Sequence, residues 1–428
     1  MPSADSTPQP DKAPAGSPPP LKLPAGWTFA ALIAGFLIGW ALAGTRAAAP
    51  VLAVAQPVGT IWLSALQMTI IPLVASLLVT GIASMVATAR AGSTARRTLF
   101  AFYAVLGGGT VMAAIATPAL LQLFPIPALA DQALMAGAAT PQEVPGIGAF
   151  FESLVAPNIF AAASETAMLP LIVFFIALAF AITRIAPERR EPLVALFEGL
   201  GEAMLVIIGW VLWLAPIGVL ALSTGVGLRS GGGALAAVAH YILVVSAMGG
   251  VVLIAAYVLA ATGARIPVAR FARAMLPAQT VALSTQSSLA SLPAMLGSTR
   301  ELGVRATNAD FVLPLAVAIF RATSPAMNLA VAIYVADLAG VALSPLTIAA
   351  GCAVALVTTT GSVSLPGAIS FVTSIGPIAI AMGVPVEPLA LLVAVEMVPD
   401  LMRTVGNVTM NVAVTATVDR LEEGSAAD

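Results

Sequence analysis

Charge is scarce in this chain: 9% of its 428 residues are Asp, Glu, Lys or Arg, against about 25% in soluble domains. That deficit, with 59% hydrophobic residues and a mean hydropathy of +1.01, excludes an ordinary water-soluble domain and indicates a multi-span membrane protein. Cysteine is scarcer still. Cys352 stands alone, which excludes an internal disulfide and a thiolate metal cluster. The single histidine, His240, excludes an HExxH zinc site and a histidine-based triad. No convincing nucleophile–base pair appears elsewhere, so an enzyme is not expected, and no metal or cofactor is implied. The net charge of −2 gives no reason to expect a nucleic-acid partner. Lysine occurs twice against sixteen arginines, a bias in keeping with a GC-rich bacterial genome.

Apolar runs are what the chain has in abundance. They cover roughly 26–45, 58–87, 98–124, 166–183, 195–222 and 236–262. Runs of this length are α-helical spans, since a barrel would show alternating segments of about 10 residues. Residues 1–24 are rich in Pro, Ser and Ala and lack the apolar core of a signal peptide, so a disordered cytoplasmic tail is expected. With the N-terminus in the cytoplasm, the basic stretches "ARAGSTARR" (89–97), "RIAPERRE" (184–191) and "ARIPVARFAR" (264–273) all fall inside. The connection 125–165, with Asp131, Glu143 and Glu152 but no Lys or Arg, falls outside. Basic residues gather on the cytoplasmic side of membrane proteins, so both termini are expected in the cytoplasm, and the membrane is taken as a bacterial inner membrane.

The second half breaks this simple pattern. Residues 274–296 are apolar at both ends and polar in the middle, "STQSS", between Pro277 and Pro293. A span there would bury the polar stretch at the costliest depth, whereas a hairpin entering and leaving on one face avoids it. Residues 346–385 repeat the pattern around "TTTGSVSLPGAIS". Between them the apolar segment 307–342 is interrupted by "FRATSP", which puts Arg321 in the middle of an oily helix. A hairpin and helix followed by a second hairpin and helix of opposite entry is an inverted repeat, and such repeats place a substrate site near the midplane.

The last helix concentrates polar groups. Asp400, Arg403, Thr404, Asn407 and Asn411 lie 4, 7, 8, 11 and 15 residues after Glu396, which is one helical face. Two readings stay open at this stage. Asp400 and Arg403 could form an ion pair that holds the bundle together. Alternatively, Arg403 forks onto a substrate carboxylate while Asp400 receives an ammonium group.

The motifs then resemble one family. "MTIIPLVASLLVTGIASM" (68–85), "APNIFAAASETAMLPLIVFFIALAFAI" (156–182), "WLAPIGVLAL" (213–222), "STQSSLASLP" (284–293), "GSVSLPGA" (361–368) and "DLMRTVGNV" (400–408) occur in the order found in dicarboxylate/amino acid:cation symporters. The resemblance spans nearly all of residues 26–418. It implies an all-α integral membrane protein of eight transmembrane helices and two re-entrant hairpins, an elevator-type transporter assembled as a homotrimer. Scaffold helices 1–2 would occupy 25–97, transport-domain helix 3 would occupy 98–124, and scaffold helices 4–5 with an outer loop would occupy 125–222. The rest of the transport domain, 223–420, would hold helix 6, hairpin 1 (267–297), helix 7, hairpin 2 (346–385) and helix 8, with a tail at 421–428. The five tryptophans (Trp27, Trp40, Trp62, Trp210 and Trp213) would be interfacial anchors or protomer contacts of the scaffold.

The resemblance further implies that Arg403 holds a side-chain carboxylate and Asp400 an α-ammonium. Asn407 would take the main-chain end, with Thr404, Ser287, Ser288, Ser324 and the second tip, Ser362 to Gly367, completing the site. An acid at the Asp400 position favours aspartate or glutamate over a C4-dicarboxylate, which is the alternative cargo. A non-transporting binder or a channel is the alternative of another kind.

The sequence departs from the family at the broken helix. Aligned on the family's Asn-Met-Asp-Gly-Thr motif, Phe320 and Ala322 replace two sodium ligands, Arg321 adds a fixed cation, and Asn411 replaces a later acid. Sodium needs oxygen ligands and nearby negative charge, so coupling through these sites is not expected. Arg321 could replace a bound cation, pair with Glu396 or Asp400, or touch substrate. Transport would then run on protons, by exchange or uncoupled, with Glu396 and Asp400 as candidate proton carriers.

Overall fold

The computed structural model describes residues 25–89, 92–127, 152, 154–165, 167–230, 233–361 and 367–427. The tail 1–24, most of the 125–165 connection and the second tip including Ser362 lie outside them. The described residues are helical, with no strand among them. In chain order the helices are α1 (Ala25–Leu42), α2 (Ala48–Gln67), α3 (Ile70–Ala89), α4 (Ser93–Leu123), α5 (Ile159–Ser164), α6 (Met168–Ile182), α7 (Pro187–Trp213), α8 (Ala215–Ser230) and α9 (Gly233–Thr262). They continue with α10 (Val268–Thr285), α11 (Leu292–Leu302), α12 (Ala306–Ile319), α13 (Ser324–Leu338), α14 (Pro345–Gly361), α15 (Gly367–Ala381), α16 (Leu389–Leu392) and α17 (Met397–Ala427). Several are long and apolar enough to cross a bilayer, among them Thr94–Leu123, Ala236–Thr262 and Ala306–Leu338.

Prolines set the interruptions. The run expected at 58–87 begins ten residues earlier, at Ala48, and is jointed at Met68–Thr69. Pro72 explains the joint, because its ring meets the carbonyl four residues back and it has no N–H to donate. The run expected as one span at 195–222 is two helices that meet at Leu214 and continue to Ser230. Pro216 acts there in the same way on the Leu212 carbonyl.

Packing divides the helices by neighbour. α1 lies along α8, α8 also meets α2, and α3 packs on α6 and α7. α9 lies along α17, α13 sits among α4, α9, α14 and α15, and the arms α10/α11 and α14/α15 each pack on their own partner. α13 is buried from Ser324 through Ala336. A helix apolar all round has no solvent or lipid face to offer and belongs in the interior. At one end of this group, Arg305 clasps Asp419 on α17 (Nε to Oδ1, 2.8 Å), and Asn308 donates to Asp419 Oδ1 (2.7 Å) and Glu422 Oε2 (2.8 Å). These bonds tie the start of α12 to the end of α17.

Four of the tryptophans are exposed, but Trp62 is not. Its indole nitrogen donates to the Val211 carbonyl (2.8 Å) and its ring lies over Gly218, so it is a joint between α2, α7 and α8.

The α1–α8 contact depends on glycine. A methyl on Gly35 would come 2.7 Å from the Leu220 carbonyl, one on Gly39 2.7 Å from the Leu228 nitrogen, and one on Gly227 2.5 Å from the Phe36 carbonyl. Gly35 and Gly39 form a small-xxx-small stripe that lets two backbones touch. Because the obstacles are backbone atoms, no rotamer change relieves them. Gly39→Leu is therefore expected to cost about 1–3 kcal/mol and to lower the thermal unfolding midpoint in detergent. Gly199→Ala, which faces open space within α7, should not lower the midpoint, since alanine is the better helix former.

Candidate functional site

The site is built on the interruption between α12 and α13. α12 ends at Ile319, and Phe320 takes an extended conformation (φ −106°, ψ 93°). The α13 helix restarts at Ser324, with Pro325 in its first turn, a position where proline's missing N–H costs nothing. The break is pinned from α17. Asn407 Oδ1 accepts from the Thr323 backbone N–H (2.9 Å) and lies 2.9 Å from the Thr323 hydroxyl, which also reaches the Arg403 carbonyl (3.1 Å). A backbone donor orphaned by the end of a helix is thus satisfied by a side chain of the neighbouring helix. On the other side, Phe320 stacks flat on Phe102 of α4, with centroids 4.2 Å apart and planes at 4°.

Arg403 occupies the centre. Its Nη2 donates to Glu396 Oε1 (2.6 Å), its Nη1 donates to Asn328 Oδ1 (2.9 Å), and its Nε lies 3.4 Å from Asp400 Oδ1. Arg403, Glu396, Asp400 and Asn328 are all buried. Arg321 is 8% exposed and stands within electrostatic reach of both Asp400 and Arg403. Two carboxylates and two guanidinium groups therefore share one interior cluster, formally neutral as a set. A charge removed from water is tolerable only when paired, so this balance is a condition of burying any of the four. The Asp400–Arg403 pair is present, and Glu396 makes the shorter contact.

The other candidate residues divide into those brought to this cluster and those that are not. Ser324 presents a buried hydroxyl without a hydrogen-bond partner, one turn before Asn328 on α13. Thr404 bonds back to the Asp400 carbonyl (2.9 Å) and so serves its own helix. Asn411 is buried with neither amide atom bonded. Ala322 is buried behind the break. At the first tip, Gln286 ends α10 in the left-handed conformation (φ 51°). Ser287 Oγ there accepts from Ala290 N (3.2 Å). Ser287 and Ser288 are half-buried and make no hydrogen bond to α17 among the described residues. Gly367 opens α15, and Ser362 is outside the described residues.

Three participants escaped the sequence reading. Thr323 ties the break, Asn328 holds the guanidinium, and the Tyr241 hydroxyl lies beside the Glu396 carboxylate. Asn328 carried a usable signal, a lone amide in an apolar helix one turn from Ser324. The Tyr241 role carried none, because it depends on how α9 is docked.

Unsatisfied atoms concentrate here as well. Asn328 Nδ2 and Ser324 Oγ are buried without a hydrogen-bond partner, whereas the Tyr241 hydroxyl and the Glu396 carboxylate face each other. Buried polar atoms are normally paired, so the amide and the hydroxyl are exceptions here. No group of three or more His, Cys, Asp or Glu side chains that could hold a metal occurs among the described residues.

Comparison with known proteins follows the same line. The chain is 28% identical over 402 residues to the proton/sodium-glutamate symport protein of Bacillus subtilis (strain 168), covering 92% of this chain and 91% of that one. It is 26% identical over 404 residues to the protein of the same name from Bacillus caldotenax, covering 91% and 92%. It is also 28% identical over 369 residues to the proton/glutamate-aspartate symporter of Escherichia coli (strain K12), covering 83% and 82%. The profile of the sodium:dicarboxylate symporter family matches residues 25–421, and with a helix break, a buried arginine and two helical hairpins arranged as described, the chain belongs to that family of transporters and is not an enzyme.

Proposed function

We propose that this protein is a secondary transporter for acidic amino acids, aspartate or glutamate, in a bacterial inner membrane, and that it couples their movement to protons. The observation that carries the reading is the engagement of Arg403 by Glu396. Glu396 neutralises the guanidinium that a substrate carboxylate would use. When substrate enters, its carboxylate takes that place as a bidentate partner. Its ammonium faces Asp400, and its main-chain end reaches Asn407 and the two hairpin tips.

Charge counting then supplies the coupling. Aspartate carries a net charge of −1, and the cluster is neutral before it arrives. A buried site does not hold an unpaired charge, so the displaced Glu396 takes up a proton. The replacement of two sodium ligands by Phe320 and Ala322 fits the same reading. So do the relatives' names, which include protons, while their mention of sodium is a property of those proteins. The architecture in the membrane is proposed on the same basis: eight crossing helices, hairpins re-entering at α10/α11 and α14/α15, an elevator movement of the α9–α17 group with α4, a homotrimer, and both termini cytoplasmic.

In proteoliposomes, an inward proton gradient is expected to drive aspartate accumulation, and a sodium gradient of equal size is not. Strong dependence on sodium would overturn the coupling assigned here. Asp400→Asn should abolish aspartate uptake while sparing any succinate transport, and aspartate uptake equal to wild type would sink the ammonium assignment. Arg403→Ala should raise KM by about 30-fold or more, because removing one partner of a buried charge pair costs about 2–5 kcal/mol. Glu396→Gln should retain counterflow of labelled aspartate and lose accumulation driven by the proton gradient. Absence of counterflow in the wild type would instead point to a binder or channel.

A further inference from the structure

The first hairpin, α10/α11, presents a smooth inner surface. Ala274, Ala278 and Ala282 of α10 are fully buried at four-residue spacing, where the arm meets α11, α17 and α9. Small residues let helices approach closely, but a seam of alanines does not fix how far one helix slides along another. The outer face gives no hold either, since Leu276 and Leu283 are exposed. Thr280, Ser284 and Thr285 bond back to carbonyls of α10 itself. Arg270 reaches the Glu301 and Leu302 carbonyls, and Ser298 reaches the Ala274 carbonyl, so these bonds join the two arms to each other. Among the described residues, Gln279 is the α10 side chain that hydrogen-bonds outside the hairpin.

Gln279 Nε2 donates to the Tyr257 hydroxyl of α9 and to the Thr409 hydroxyl of α17, both at 3.0 Å. Thr409 fixes the orientation of the amide. Its one hydrogen goes to the Val405 carbonyl (2.7 Å), so its oxygen can only accept from Gln279. The Tyr257 ring also meets Phe271 of α10 edge to face, with centroids 5.3 Å apart. One amide therefore marks a common level on three helices. The base of the hairpin lies toward the end of α17, because α11 leads into Arg305, which clasps Asp419. α10 and α17 thus run in opposite directions. Away from that base, the end of α10 at Gln286 lies seven residues beyond Gln279, and Arg403 lies six residues before Thr409. At 1.5 Å per residue these are about 10 and 9 Å, which brings the first tip to the level of Arg403.

We propose that Gln279 is a positioning residue, which sets the register of the first hairpin on α17 and so holds Ser287 and Ser288 over the cargo site. A single polar contact in an apolar seam fixes register in coiled coils, and the same physics applies here. The consequence for cargo rests on the function proposed above, whereas the fastening does not.

Full-length protein in nanodiscs tests both parts. Gln279→Leu keeps a good helix former and removes both hydrogen bonds. Hydrogen exchange at the amides of residues 280–291 should quicken by about tenfold, while that of α13 stays unchanged. The dissociation constant for aspartate should rise by about fivefold or more. The maximal rate of aspartate counterflow should stay near that of the wild type, a split that general loss of folding does not produce. Thr409→Val should shift exchange and affinity in the same direction and add little to Gln279→Leu, because the two act through one contact. Thr409→Ser keeps the acceptor and should match the wild type, and this pair carries the test if Gln279→Leu does not fold. Wild-type exchange at 280–291 in Gln279→Leu or Thr409→Val would overturn the fastening. Faster exchange with unchanged aspartate affinity would overturn the positioning. If the wild type binds no aspartate, the cargo reading fails, and the exchange result alone decides whether Gln279 pins the hairpin.

Discussion

The constraint on which this structure turns is the burial of a guanidinium group. Arg403 cannot leave water without acceptors for its N–H groups and opposite charge nearby. Glu396 and Asp400 supply the charge, Asn328 supplies a neutral acceptor, and each comes from a position fixed by the fold. Glu396 and Asp400 precede Arg403 on its own chain segment by seven and three residues respectively, whereas Asn328 arrives from α13. The helix break exists where that second supply meets the first. A continuous helix through residues 320–323 would satisfy its own backbone donors and leave Asn407 nothing to hold.

That break explains why irregular backbone persists in an apolar interior. Exposed to lipid, the freed N–H groups would each cost several kcal/mol. Here Thr323 is answered by Asn407, and Phe320 keeps its backbone N–H on the Ala316 carbonyl (2.8 Å) while its ring stacks flat on Phe102. The same logic governs the hairpins. At the first tip the hydroxyls of Ser287 and Ser291 satisfy nearby backbone. Hydroxyls that serve the backbone in this way can also be redirected to a ligand.

Much of this was legible in the sequence because membranes make polarity conspicuous. Arg321 and the Glu396–Asn411 stripe stood out against apolar runs, and the polar centres of 274–296 and 346–385 marked the helical hairpins. The break at "FRATSP" could be placed to the residue. Helix ends were less legible. The joints at Met68–Thr69 and Leu214 follow from Pro72 and Pro216, but hydropathy averages over them. The Gly35–Gly39 stripe was hidden because glycine blends into an oily run, and its meaning depends on which helix lies opposite. Trp62 was misplaced for a related reason: composition groups it with lipid-facing tryptophans, and only docking against Gly218 and Val211 reveals the joint. Asn328 and Tyr241 depend on tertiary placement too, since neither offset nor motif ties them to Arg403 and Glu396.

α13 connects these observations mechanically. It is buried from Ser324 through Ala336, so it is a packed rod with little freedom to bend. Near its start Asn328 holds Arg403, and six residues later Tyr334 joins His240, about 9 Å along the axis at 1.5 Å per residue. Anything that changes the partners of Arg403 therefore acts on the same rod that Tyr334 joins to α9. The electrostatics run in parallel, because Tyr241 touches Tyr334 edge to face (5.3 Å between centroids) and lies beside Glu396. In an interior this dry, moving one charge requires its neighbours to answer, and α13, which holds Asn328 against Arg403, is the element that joins them.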